Sequence, residues 1–177
     1  RLVDEFLELV KIDSETKYER QIADVLKEKF TALGVDVKED DTMEVTGHGA
    51  GNLICTLKGN EAYDPIYFTC HMDTVVPGVG IEPFIEDGYI KTDGSTILGA
   101  DDKAGLAALF EAIRLLKEEN VDHGTGQFII TVGEESGLVG SKAIDPQEII
   151  AKYGYALDSD GKVGTIVVAA PFQTKIN

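Results

Sequence analysis

The sequence is poor in basic residues, with 16 Lys and Arg against 32 Asp and Glu and a formal net charge of −16. A basic surface is needed to neutralise the phosphates of nucleic acid or of an anionic membrane. We therefore expect neither nucleic acid nor a membrane among the partners. Long apolar runs are also missing, and stretches such as Ile166–Ala170 are too short to span a bilayer. No basic leader followed by an apolar segment is visible at Arg1–Lys11, so no secretory signal is expected.

Cysteine is scarce as well: Cys55 and Cys70 are the only two, and each lies within an apolar, strand-like run. A disulfide between them is possible, but two buried, reduced thiols are the better interpretation, and this favours the cytoplasm. Two motifs of nucleotide binding, Gly-x-Gly-x-x-Gly and the Walker-type loop, are absent, as is the Gly-x-Ser-x-Gly of serine hydrolases. A nucleotide cofactor and a serine nucleophile are therefore not expected.

The 177 residues are enough for one domain with a substantial core, and strand-like apolar runs alternate with helical apolar stripes. This alternation predicts an α/β fold with a central, largely buried mixed sheet flanked by helices. A possible capping box, Thr16 with Glu19, opens the second helix. The predicted helices are 2–10, 16–33, Lys103–Glu119 and Pro146–Lys152, and the predicted strands are Val35–Lys38, Leu53–Leu57, Ile66–Cys70, Tyr89–Thr92 (one arm of a hairpin), Phe128–Val132, Tyr155–Leu157 and Thr165–Ala169.

Acidic and imidazole side chains follow several of these apolar runs. They are His71, Asp101, the pair Glu134-Glu135, and Asp158. A carboxylate behind an apolar strand is costly to desolvate unless a positive group receives it. Ligands in open α/β sheets bind beyond the carboxyl ends of strands. We therefore expect these side chains to share a cationic centre, of which a metal is the simplest form.

The residues next to these positions have alternative interpretations. Residues two apart on an extended backbone point the same way, so Asp73 could support the ring of His71. Alternatively, Asp73 only caps a turn beside an incidental histidine. Asp102 could serve simply as a helix N-cap, whereas its neighbour Asp101 could use its two oxygens to bridge two cations.

The pair Glu134-Glu135 stands between Gly133 and Gly137, which mark a tight loop. Neighbouring side chains near a strand end diverge, so we expect different roles for the two glutamates. One would bind metal while the other takes a proton from metal-held water. The alternative is an exposed acidic turn.

The two other histidines, His48 and His123, lie in polar loops and are expected to be surface residues. A donor set of one imidazole and several carboxylates suits zinc, cobalt or manganese better than copper or an iron–sulfur cluster.

Four stretches carry a family resemblance. The chain resembles the peptidase T-like branch of the co-catalytic zinc metallopeptidases, a superfamily that also holds carboxypeptidase G, the aminoacylases and acetylornithine deacetylase. The stretches occur in the family's order, and the block from Leu98 to Gly105 points to the peptidase T-like branch in particular. They are Cys70-His71-Met72-Asp73-Thr74-Val75-Val76-Pro77, Leu98-Gly99-Ala100-Asp101-Asp102-Lys103-Ala104-Gly105, Gly133-Glu134-Glu135-Ser136-Gly137 and Leu157-Asp158.

The resemblance implies a role for each matching residue. His71 and Asp158 would bind one divalent metal ion, Glu135 would bind a second, and Asp101 would bridge both. Glu134 would be the general base, and Asp73 would orient His71. The implied ions are two, most simply Zn, with Co or Mn as alternatives.

The resemblance also sets expectations for the whole protein. The family takes a further histidine ligand from late in its chain, and no histidine follows His123 here. Residues 1–177 are thus expected to be the N-terminal part of the catalytic domain, without the lid domain and the C-terminal part, and with a weak second metal site. The parent protein is expected to be a homodimer through that lid.

The resemblance implies metal-dependent hydrolysis of peptide bonds in short peptides, with tripeptides as the substrates of the best-known case. Two other functions stay open: an N-acyl amino acid deacetylase with the same machinery, and a non-catalytic metal-binding domain. A purely structural module would require all the strand-end placements to be coincidental.

Overall fold

The computed structural model describes residues 1–169 of the chain. In chain order the helices are α1 (Leu2–Val10), α2 (Arg20–Ala32), α3 (Thr42–Thr46), α4 (Ala100–Glu118) and α5 (Val139–Ala143), with one 3-10 turn at Pro146–Glu148. The strands are β1 (Asp36–Glu39), β2 (Leu53–Leu57), β3 (Ile66–His71), β4 (Phe84–Glu86), β5 (Tyr89–Lys91), β6 (Gly126–Thr131) and β7 (Tyr153–Ala156). Among the described residues, no helix is both long and apolar enough to cross a membrane.

Five strands form a mixed sheet in the order β1-β2-β6-β3-β7, and β4 and β5 form a separate antiparallel hairpin. β1, β2 and β6 pair antiparallel, whereas β6, β3 and β7 run parallel. The predicted α/β class with a central mixed sheet is confirmed. The sheet is most deeply buried at β6, where every residue is buried, and least at β7, where every residue is exposed.

One face of the sheet is covered by α2 and α4. Phe30 of α2 lies between Phe110 of α4 and Phe128 of β6, with ring centroids 4.6 and 5.9 Å away. Neighbouring residues of a strand point to opposite faces, so Gln127 faces the other side. There its amide group donates to the carbonyl of Glu148 and accepts from the amide of Ile150.

Three predicted elements differ most from the structure, whereas the bounds of the other predicted strands shift by at most two residues. The second helix begins at Arg20, not at the predicted capping box, because the Glu19 carboxylate accepts from the amides of Lys17 and Gly49. The predicted helix Pro146–Lys152 is only a 3-10 turn, because Gln127 takes the next backbone groups into hydrogen bonds. The predicted strand Thr165–Ala169 is wrong: these residues are exposed and pair with no strand in the part of the chain that the structure describes.

The buried side chain of Asn52 joins the segment around α3 to the end of β6. Its Nδ2, which carries two N–H donors, lies 2.9 to 3.1 Å from three acceptors: Asp40 Oδ2, Thr42 Oγ1 and the carbonyl of Gly140. Its Oδ1 accepts from the amide of Val132 at 3.1 Å. The chain after β6 is thus held in place from the β1–β2 connection.

Replacement of Asn52 by leucine should destabilise the fold by about 3 kcal/mol, because it leaves several buried polar groups without partners. Asn60 offers a matched control: it is exposed and its Nδ2 bonds to Asp122. Asn60→Leu should cost less than about 1 kcal/mol. Urea denaturation followed by circular dichroism measures both, and equal losses would contradict the role assigned to Asn52.

Candidate metal centre

Three parallel neighbours of the sheet bring their carboxyl ends to one edge. His71 is the last residue of β3 and is aligned with Thr131, the last residue of β6. Glu134 and Glu135 come shortly after β6, beyond Val132 and Gly133, and Asp158 comes shortly after β7. Parallel alignment therefore places an imidazole and three carboxylates together, as expected for a ligand site in an open α/β sheet.

Asp101 joins this group from the first turn of α4. Its backbone is not helical (φ −87°, ψ 108°), and the peptide bond to Asp102 is cis. The Asp101 side chain is 66% exposed, and its Oδ1 lies 2.8 Å from Nε2 of His71. Asp102 is only 3% exposed, so the two neighbouring aspartates face different surroundings.

Two groups of potential ligand atoms share His71. In the first, atoms of His71, Asp101 and Asp158 all lie within 4.8 Å of one another, and in the second the same holds for His71, Glu134 and Glu135. The sequence-based expectation that the two glutamates diverge is therefore wrong for their positions. The tight loop, in which Gly133 has φ +58° and the carbonyl of Glu134 accepts from two later amides, turns both side chains towards His71.

Asp73 has a different set of contacts from the one expected. Nδ1 of His71 lies 2.8 Å from the backbone carbonyl of Asp73, and the nearest carboxylate oxygen is farther away, at 3.5 Å. The carboxylate accepts instead from the amides of Glu134 and Glu135, at 3.0 and 3.2 Å. Burial favours protonation of Asp73, but the His71 ring and these amides outweigh it and lower the pKa. Asp73 thus links the ring of His71 to the glutamate loop.

Asp102 acts as an N-cap of the regular part of α4, one of the roles that the sequence left open. Its Oδ1 accepts from the amide of Gly105 at 3.2 Å, at the start of the regular part of α4. Burial raises the pKa of Asp102 to about 7. The neighbouring Lys103 is buried too: its Nζ donates to Ser14 Oγ at 2.6 Å, and burial lowers its pKa to about 8.

His48 is a residue whose environment the sequence did not reveal. It was expected on the surface, but it is only 6% exposed, and its Nε2 lies 3.1 Å from Ser136 Oγ in the glutamate loop. Its neighbours in sequence, Gly47 and Gly49, gave no signal of this burial. His123 is partly buried beside the carbonyl of Gly124, away from the candidate ligands. Cys55 and Cys70 are buried free thiols that form no disulfide, as predicted.

Comparison with known proteins identifies the family of this chain. The family model described as Peptidase family M28 matches residues 52–164, a range that contains all the candidate ligands. The chain belongs to peptidase family M28.

Several relatives of this M28 chain are about twice its length. The uncharacterised protein YqjE of Bacillus subtilis is 73% identical over 176 residues, which are 99% of this chain and 47% of YqjE. Aminopeptidase PepT from Bacillus cereus superposes with a TM-score of 0.93 at 73% identity, and a tripeptidase from Staphylococcus aureus with 0.92 at 53%. Each of these two alignments covers 95% of this chain and 45% of the other. The chain thus spans about half the length of its relatives, and its resemblance to peptidase T-like proteins is confirmed.

The donor set of this M28 chain fits a divalent metal ion. Burial raises the pKa values of Glu134, Glu135 and Asp158, and neighbouring carboxylates raise them further. A cation among these groups would relieve both effects. His71, Glu134 and Asp158 also line a cavity of about 220 Å³. A larger cavity of about 570 Å³ lies elsewhere, against apolar side chains such as Leu109 and Phe128, and holds none of the candidate ligands.

The surroundings of His71 favour a ring that is protonated on both nitrogens when no metal ion is bound. Burial by itself lowers the pKa of His71, but Asp73 and Asp101 hold the ring proton and raise the pKa to about 10. Metal binding requires a neutral imidazole, so an ion must displace this proton.

We therefore expect His71 to be an imidazolium at pH 8 in the metal-free chain and a neutral ligand after zinc is added. Nitrogen-15 NMR of labelled histidine distinguishes the two forms. Asp101→Asn removes one carboxylate and should lower the pKa of His71 by about 1 unit or more. The control is Asp36→Asn, because Asp36 is exposed on β1, at the opposite side of the sheet from β7. A His71 ring that loses its proton near its ordinary pKa of about 6.5 would contradict this assignment.

Proposed function

We propose that residues 1–177 form the N-terminal part of the catalytic domain of a two-metal aminopeptidase that hydrolyses short peptides. The observation that carries this proposal is the convergence of four carboxylates on His71 at one edge of the sheet. Membership of peptidase family M28 and the similarity to PepT and to a tripeptidase support it.

In this proposal His71, Asp101 and Asp158 hold one divalent ion, and Asp101 and Glu135 hold a second. Zinc is the first choice, with cobalt or manganese as alternatives, since one imidazole and several carboxylates suit these ions. Bound ions of this kind polarise the substrate carbonyl and lower the pKa of attacking water. Asp73 orients both His71 and the glutamate loop through the contacts described above.

Glu134 acts as the general base. Burial and the nearby carboxylates raise its pKa above that of an ordinary glutamate, which makes it a better proton acceptor. It takes a proton from water and passes it to the leaving amine. Its place in the cavity with His71 and Asp158 leaves space beside it for a water molecule.

The substrate, assembly and location of the whole protein are inferred from its relatives and its composition. The names of the Bacillus cereus and Staphylococcus aureus relatives favour an aminopeptidase acting on tripeptides. We further propose a homodimer through a lid domain and a cytoplasmic location, the latter because Cys55 and Cys70 are buried and unbonded. An N-acyl amino acid deacetylase and a non-catalytic metal-binding domain are the alternatives.

The two metal positions should differ in affinity in this chain. One has three protein ligands and the other only two, Asp101 and Glu135. Titration of the metal-free chain with zinc should show one tight ion and a second that binds at least about tenfold more weakly, since each ligand adds to affinity. His71→Gln should abolish the tight site while Glu135→Gln spares it. Two equally tight ions would contradict the ligand assignment.

Glu134→Gln in a full-length protein containing this chain should reduce tripeptide hydrolysis about 10²–10⁴-fold, the usual contribution of a general base. The metal content should be unchanged, because Glu134 is not a ligand in this proposal. The exposed Glu61 provides the control, and Glu61→Gln should keep full activity.

Assays with acetylated amino acids run in parallel with the tripeptide assays. Faster hydrolysis of acetylated amino acids would favour the deacetylase. No hydrolysis that depends on Glu134 would favour the non-catalytic domain.

A further inference from the structure

His48 lies under the loop that carries the two glutamates, although it comes from a distant part of the chain. It follows α3 and is separated from Ser136 by 88 residues in sequence. Its side chain is almost completely buried. A buried imidazole so close to a candidate centre, yet outside both groups of ligand atoms, needs a different role from that of a ligand.

Hydrogen bonds connect this ring to the backbone of the loop. Ser136 Oγ lies 3.1 Å from His48 Nε2 and also donates to the carbonyl of Gly133 at 3.1 Å. A serine hydroxyl has one proton, so when that proton goes to Gly133 the hydroxyl must accept from Nε2. The result is a short chain of hydrogen bonds from the His48 ring through Ser136 to the backbone just before Glu134.

The His48 ring also leaves no room for a side chain at position 133. A Cβ added to Gly133 would lie 2.5 Å from His48 Nε2, and Gly133 has φ +58°, a conformation that glycine adopts without steric cost. The backbone therefore turns directly against the imidazole. On the other side, the Asp73 carboxylate holds the amides of Glu134 and Glu135.

We propose that His48 is a positioning residue that, together with Asp73, holds the glutamate loop so that Glu134 and Glu135 face His71. The consequence for metal binding and proton transfer rests on the function proposed above. The positioning itself rests only on the contacts of the ring. His48 is neither a ligand nor a base, and it acts through Ser136 and the backbone of Gly133.

The first test measures amide hydrogen exchange by NMR in the metal-free chain. In His48→Ala the amides of Glu134 and Glu135 should exchange about five- to tenfold faster, the factor expected for the loss of one hydrogen bond. The Nε2 of a glutamine side chain can replace that of the ring, so His48→Gln should stay within about twofold of the unchanged chain. His123→Gln is the matched control and should have no effect on these two amides.

The second test measures zinc affinity by calorimetry on the same proteins. His48→Ala should bind the second zinc ion, which Glu135 holds in the proposed function, about tenfold more weakly, as is usual when the support of a metal site is lost. The tight ion should be unaffected. His48→Gln should recover most of the affinity, which a merely structural loss of packing would not produce. Ser136→Ala removes only the hydroxyl and should also weaken binding of the second zinc ion. If His48→Ala does not fold, Ser136→Ala replaces it in both the exchange and the affinity measurements.

Unchanged exchange of the Glu134 and Glu135 amides in folded His48→Ala or Ser136→Ala would overturn the proposal. Unchanged affinity for the second zinc ion in these folded variants would overturn the proposed effect of His48 on metal binding. If the unaltered chain binds no zinc at all, the function proposed above fails, whereas the exchange measurement still decides whether His48 positions the loop.

Discussion

The parallel alignment of β6, β3 and β7 is the constraint on which the candidate centre depends. Their common direction brings the residues after each strand to one edge, and the pairing of His71 with Thr131 sets the level at which they meet. Each carboxylate there would be costly to bury alone. Grouped around one imidazole, they form a set that a divalent cation can neutralise together. The sheet thus concentrates negative charge at this edge, and a bound divalent cation would neutralise it.

Asp73 shows how the protein keeps this acidic edge in order. Its backbone carbonyl faces one nitrogen of His71, and its carboxylate holds the amides of Glu134 and Glu135. One residue thereby fixes the end of β3 relative to the loop after β6. The loop is held from below by the His48 ring and from the β1–β2 connection by Asn52. If the proposals above hold, the roles of Glu134 and Glu135 depend on these supporting contacts as much as on the two glutamates themselves.

Local patterns in the sequence were sufficient for most of the fold. The bounds of β2 were predicted to the residue, and the regular part of α4 begins at Lys103 as its apolar stripe indicated. Predictions of secondary structure were wrong where an element depends on contacts with residues far away in the sequence. Thr165–Ala169 has the composition of a strand, but a strand needs a neighbour, and none pairs with it in residues 1–169. α2 begins later than predicted because the carboxylate of Glu19 accepts from amides outside the helix, including that of Gly49.

The sequence by itself determined which residue types follow the apolar runs, and hence the prediction that His71, Asp101, Glu134, Glu135 and Asp158 share one centre. It did so because periodicity and apolar runs are local properties that strand and helix geometry converts directly into position. Only the tertiary structure decided that both glutamates turn towards His71, that Asp73 bonds to their amides, and that His48 lies buried beneath them. These features depend on contacts between segments far apart in the chain, where the packing of a loop against a ring outweighs any local preference.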